Sequence, residues 1–263
     1  MGIIWAFIAM VSWGAGDFLI QKSARKVGND VALFCITLFG AIFLFPFILP
    51  ELASLALIDY RFWLLLLTSG VLLVAALFNF EALRQGKLAI IEPICSFEVV
   101  ITSVLSGFFL QEELTFIQAI FIIILIGGIV LTSVETLSAF RNLKLEKGVL
   151  LAFAAAIGMG SANFLFGVGS RHTSPLLINW FVNIFLVIAV SIYLTYAKRW
   201  RHLWVSWHSE RRLILSVSLF DNMAWVAYAF STLSIPIAIA TGISERLYSL
   251  DCTCWHFSQQ RDN

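Results

Sequence analysis

The order of hydrophobic and polar positions divides this chain into long apolar runs with brief polar punctuation. Eight runs stand out, at 3–20, 31–49, 62–83, 88–110, 116–134, 148–168, 176–196 and 213–233, and a ninth opens at Ile235 and falters after Glu245. An α-helix needs about 20 apolar residues to cross the hydrocarbon core of a bilayer, so each complete run predicts a membrane span. The connections are too short for a soluble domain, and consecutive spans are expected as antiparallel neighbours. No basic stretch or small-residue cleavage site accompanies the first run, which predicts a retained span and not a signal peptide.

Composition narrows the class further. With 60% hydrophobic and 13% charged residues, the chain has more apolar surface than a soluble core could hide. The expected fold class is an all-α polytopic membrane protein, multi-pass in the cell membrane with the lipid bilayer as its solvent. A net charge of +1 argues against nucleic acid as a partner. Cys35, Cys95, Cys252 and Cys254 have neither metal-ligand nor disulfide spacing. His172, His202, His208 and His256 fall in predicted loops or the tail, so no metal site and no cofactor is expected.

The fourth run carries the chemistry. Residues 88–114 read LAIIEPICSFEVVITSVLSGFFLQEEL, with Glu92, Pro93 and Glu98 inside an apolar stretch. A carboxylate at mid-span costs roughly 2.5–3.5 kcal/mol on insertion scales and is expected to face a cavity or a partner. Glu92, near Arg84 and Lys87, reads as an interfacial ion pair, and Glu112 and Glu113 read as solvated or capping residues at a span end. Pro93 predicts a kink early in the span.

A repeat runs through the whole chain. Residues 14–25 (GAGDFLIQKSAR) align with 160–171 (GSANFLFGVGSR), pairing Asp17 with Asn163 and Arg25 with Arg171, and Glu98 answers to Glu245 at nearly the same offset. Asn79 and Glu81 on the third span correspond to a region of the eighth that holds Asp221, Asn222 and Trp225. Five spans is an odd number, so a second copy would enter the membrane upside down, forming an inverted repeat with a binding site near the midplane.

The first span reads Trp13-Gly14, Asp17-Phe18, Lys22 and Ala24, and this resembles the first-helix motif of EamA-type members of the drug/metabolite transporter superfamily. The fourth-span glutamate followed by an acidic turn, Glu98 then 107–114 (GFFLQEEL), also resembles that family, although Val99 stands where the family often has proline. The resemblance implies ten spans in two inverted five-helix repeats and carriage of a small organic metabolite, such as an amino acid or amine, by alternating access. On this reading 1–137 is the first repeat, 138–147 a connecting loop and 148–245 a second repeat that is incomplete, about nine spans being present with the ninth disrupted. The expected substrate-binding residues are Glu98, Asp17, Asn163, Asn79, Asp221, Asn222, Trp225, Trp13 and Glu245. Glu98 would bind a cationic group or exchange a proton, giving proton or ion coupling. Lys22 reads either as part of the motif or as a snorkelling interfacial residue. A homodimer is left open.

Residues 246–263 break the pattern. Where a helix resembling the fourth span is expected, the chain reads RLYSLDCTCWHFSQQRDN. A one-base insertion near the Arg246 codon would explain this, since the shifted frame can encode SYIALTVLVGIFLNKE, whose end mirrors GFFLQEE; a naturally divergent tail is the alternative. Such a truncation would impair transport. Charge places the N-terminus outside by the positive-inside rule. Lys22, Arg25, Lys26, Arg84, Lys87, Arg141, Lys144, Lys147, Lys198, Arg199, Arg201, Arg211 and Arg212 fall on one side, against Arg61 and Arg171 on the other. The family resemblance implies cytoplasmic termini instead. Trp200, Trp204 and Trp207 among these basic residues read as an interfacial anchor.

Two other function classes are considered. Gly14-Ala15-Gly16-Asp17 spells GxGD, the pattern of intramembrane aspartyl proteases, with Asp221 as a nominal partner, but the chain order is reversed and the later PAL tripeptide is absent. HExxH and GxSxG are absent too, so the chain is not expected to be an enzyme. A non-transporting membrane scaffold is the other.

Overall fold

The protein's structure, a computed structural model, describes residues 1–52, 59–86, 91, 94–112, 120, 123 and 147–245. Most of the predicted fifth span, the predicted loop as far as residue 146, and the tail after Glu245 with its proposed frameshift lie outside the described residues. Glu92, Pro93 and Glu113 also lie outside them.

The described chain is helical. It forms α1 (Gly2–Val27), α2 (Asn29–Leu52), α3 (Tyr60–Gln85), α4 (Glu98–Leu110), α5 (Lys147–His172), α6 (Pro175–Tyr196), α7 (Trp200–Thr232) and α8 (Ile237–Ser244). Six of these, α1, α2, α3, α5, α6 and α7, are long and apolar enough to cross a membrane. Boundaries follow local chemistry. Asp59 caps α3 by accepting from the Arg61 amide at 3.0 Å, and Ser174 caps α6 by accepting from the Leu177 amide at 3.1 Å, with Pro175 at the first helical position. Between α1 and α2 the chain reverses at Gly28, whose φ of 90° lies where a side chain would be strained.

Large apolar residues such as Ile42, Phe43, Phe108 and Ile123 are exposed on the outside of the bundle, as expected where lipid replaces water as the solvent. The interior side of α1 carries small residues, Ala6, Ala9, Ser12 and Gly16, which let helices approach closely. Their dominant packing crosses between the two sequence halves: α3 lies along α5 and α1 along α7, while α2 packs on α6 and α7. The lesser contacts pair in the same way, α4 against α5 and α8 against α1, with α4 meeting α8.

Two arginines show the same exchange in detail. Arg25, at the end of α1, donates to the carbonyls of Leu83 at 3.5 Å and Gly86 at 2.8 Å, where α3 ends. Arg171, its counterpart in the sequence repeat, donates to those of Thr232 at 2.8 Å and Ile235 at 3.0 Å, where α7 ends. The same correspondence sets Asn79 against Tyr228.

Two predicted elements differ from expectation. The run at 88–110 is not one continuous helix: Ile94 and Cys95 are helical, Ser96 and Phe97 turn, and the regular helix starts at Glu98. Residues 200–209, the predicted loop that holds His202 and His208, continue into α7 across a kink at Glu210 (φ −120°, ψ 26°). This segment exposes Trp204 and Val205 and is tied to α1 and α2 by Lys26–Glu210 at 2.8 Å and Arg199–Asp30 at 3.0 Å. His202 and His208 are therefore helical, and His172 closes α5. The anchor reading suits Trp200 and Trp204, whereas Trp207 packs partly against the core.

Candidate functional site

A cavity lies among α1, α2, α3, α5, α6 and α7, closed by Cys95, Glu98 and Glu245. The space open to the centre of a water molecule is about 80 Å³, enough for several waters or a compact organic group. Its walls include Trp13, Asp17, Asn79, Glu98, Asn163, Asp221, Trp225 and Glu245, so residues scattered along the sequence meet in one place.

Glu98 owes its position to the broken fourth span. It occupies the first turn of α4, where the helix dipole favours a carboxylate. The start of α4 is pressed onto α5: a Cβ on Gly160 would stand 2.7 Å from the Glu98 carbonyl oxygen, and Thr102 Oγ1 donates to the Gly160 carbonyl at 2.9 Å. This brings Asn163 alongside, with Nδ2 donating to Glu98 Oε2 at 3.4 Å. Tyr228 secures that stretch of α5, its hydroxyl donating to the Asn163 carbonyl at 3.0 Å and sharing a hydrogen bond with Thr241 Oγ1 of α8 at 2.8 Å. Asn163 is 1% exposed, and its Oδ1 has no hydrogen-bond partner among the described residues.

On the opposite side, α1 packs against α7 beside Asp221, a Cβ on Gly16 standing at an ordinary contact distance of 3.9 Å from the Asp221 amide nitrogen. Asp17 and Asp221 thus enter the cavity from neighbouring helices. Trp13, Trp225 and Phe166 form an aromatic wall, with ring centroids 5.2 Å apart for Trp13–Trp225 and 4.7 Å for Phe166–Trp225. Asn79 accepts a long hydrogen bond from Cys95 Sγ at 3.6 Å.

Asn222 is the one predicted site residue that does not line the cavity. It is buried behind the wall, donating to the carbonyls of Ile36 at 3.0 Å and Ser218 at 2.8 Å and accepting from Asn183 Nδ2 at 3.0 Å. Asn183 and Asn179 line the cavity instead. They were missed although the signal was present: two asparagines four residues apart in an apolar span share one helix face. Of the other intramembrane carboxylates, Glu81 pairs with Arg84 at 2.6 Å and accepts from Gln85 and Asn29 away from the cavity. Arg84 thereby has a partner within its own helix. Glu112 does act as a cap, but for α8: it accepts from the Ile237 amide at 3.0 Å while pairing with Arg171 at 2.7 Å. Lys22 is exposed on α1 and is not part of the cavity lining.

A bundle of apolar helices around an internal cavity, with buried carboxyl groups drawn from both halves of the chain, fits a multi-pass membrane protein of the transporter kind. Residues 1–134 match the EamA-like transporter family, and the chain belongs to that family. It is also 32% identical, over 134 residues, to an uncharacterized protein of Methanocaldococcus jannaschii; the match takes in 96% of that protein and 51% of this chain.

Proposed function

We propose that the protein carries a small organic metabolite, an amino acid, amine or similar compound, across the cell membrane by alternating access. The two moving halves are the inverted repeats at 1–137 and 148–245, and the nine residues singled out in the sequence, with Asn222 in a supporting place, form or frame the substrate site. The carrying observation is that equivalent positions of the two halves, Asp17 with Asn163 and Glu98 with Glu245, line a single cavity. Exchange of a proton or ion at Glu98 supplies the coupling. The half-length relative supports a unit of about five spans.

Counterflow of a metabolite panel in vesicles containing the full chain tests this. Glu98→Gln is expected to lower flux at least about tenfold, the effect of removing one charge from a buried polar contact. Unchanged flux in that variant overturns the assignment. The aspartyl protease alternative draws on Asp17 and Asp221 lining the same cavity. It requires cleavage of a single-span peptide that Asp17→Asn abolishes outright.

A further inference from the structure

The geometry points to a compact organic monocation, an alkylammonium or quaternary ammonium, as the occupant of the cavity; this rests on the transporter reading above and names its substrate class. Among the described residues the lining holds four carboxyl groups, Asp17, Glu98, Asp221 and Glu245, and no Lys, Arg or His. Walls of one sign with low-dielectric surroundings concentrate the opposite charge and repel their own. An anion is disfavoured there, and a zwitterion finds no basic side chain for its carboxylate.

Two independent features select an organic cation. The first is the aromatic wall of Trp13, Trp225 and Phe166, whose rings meet at 88° and 44°. Rings so inclined cannot all stack on one flat ligand, but they can surround a rounded cationic head and attract it through their quadrupoles. The second is Asn163, a lining residue 1% exposed whose Oδ1 has no hydrogen-bond partner among the described residues. A buried acceptor left so is costly, and a polarised N–H or N–CH3 group relieves that cost. A metal ion is the less suitable cation: no group of three or more His, Cys, Asp or Glu among the described residues is gathered closely enough to hold one.

The test uses the purified full chain and labelled choline as the probe. Its competitors are 3,3-dimethyl-1-butanol, the neutral compound of the same shape, and glycine betaine, which keeps the cationic head and adds a carboxylate. Saturable choline binding is expected, with both competitors weaker by at least about tenfold. Trp225→Leu is expected to weaken choline roughly 3- to 30-fold, and Glu98→Gln at least about tenfold. If either variant fails to fold, judged by its melting profile, the wild-type comparison alone decides. Absence of saturable choline binding, or competition by the neutral alcohol or the betaine equal to choline's own, overturns the inference. Counterflow separates it from the transport reading: choline that binds but never crosses the vesicle membrane overturns transport and leaves the cation assignment standing. Neutral alcohol carried as well as choline does the reverse.

Discussion

Gly40 is where a single hydrogen atom in place of a side chain matters most. A Cβ there would fall 1.9 Å from Asn222 Oδ1 and 2.3 Å from Asn183 Nδ2, into the hydrogen bond that ties α6 to α7 beside the cavity. Gly40→Ala must displace both amides, and a loss of about 1–3 kcal/mol is expected from overpacking, read as a lowered melting temperature in detergent; an unchanged melt would show that the asparagine pair yields freely. At the start of α3, the carboxyl of Asp59 is held below its usual range by its hydrogen bonds from Arg61. A depressed folded-state value means that its contribution is present above the unfolded value and disappears as pH falls through the lowered one. Asp59→Asn is therefore expected to flatten the acid side of the melting-temperature profile and leave its neutral side nearly level, apart from the lost ion pair. Glu98, Asp17 and Asn163 could be read from the sequence because a charged or amide group inside an apolar run has few bland explanations. Asn222 shows the limit of that logic, since the same pattern also describes a residue whose work is to bind two backbone carbonyls behind the wall.

At the level of elements, the arginine clamps carry the clearest energetic statement. Arg171 makes three charge-assisted contacts at 2.7–3.0 Å that join the ends of α5 and α7 to Glu112, which itself caps α8. Arg171→Gln is expected to cost about 1–2 kcal/mol, the lower part of the range for hydrogen bonds to charged groups, because its side chain is 30% exposed and solvent screens it. Arg25→Gln should cost less, having one short contact and one of 3.5 Å; equal melts for the two variants would contradict this ranking. The long spans were legible because hydropathy over a 20-residue window is a strong signal. The break at Ser96 and Phe97 was not, since Pro93 directs attention to the earlier residues. The helical segment before Glu210 was hidden for another reason: an alternation of Trp with Arg and His satisfies a helix lying at an interface as well as it does a loop.

For the whole molecule, the excess of Lys and Arg on one set of connections predicts an N-terminus outside and residues 198–212 on the cytoplasmic side, against the orientation that the family resemblance implies. In the structure Lys22 and Arg84 lie on helices, yet Lys22 is exposed and the Arg84 side chain is 47% exposed, so both keep their place in that charge balance. A reporter fused ahead of Met1 is expected to be reached by an impermeant reagent in intact cells, and protection there would favour the orientation of the family instead.

The pairing of α1 with α7 and of α3 with α5 has a consequence for how such a protein can be made. Each sequence half leaves its principal helix faces bare until the other has been threaded beside it. A gene split within codons 138–147 should give two polypeptides that are unstable when produced singly and accumulate only when made together. Each half acts, in effect, as the other's assembly factor.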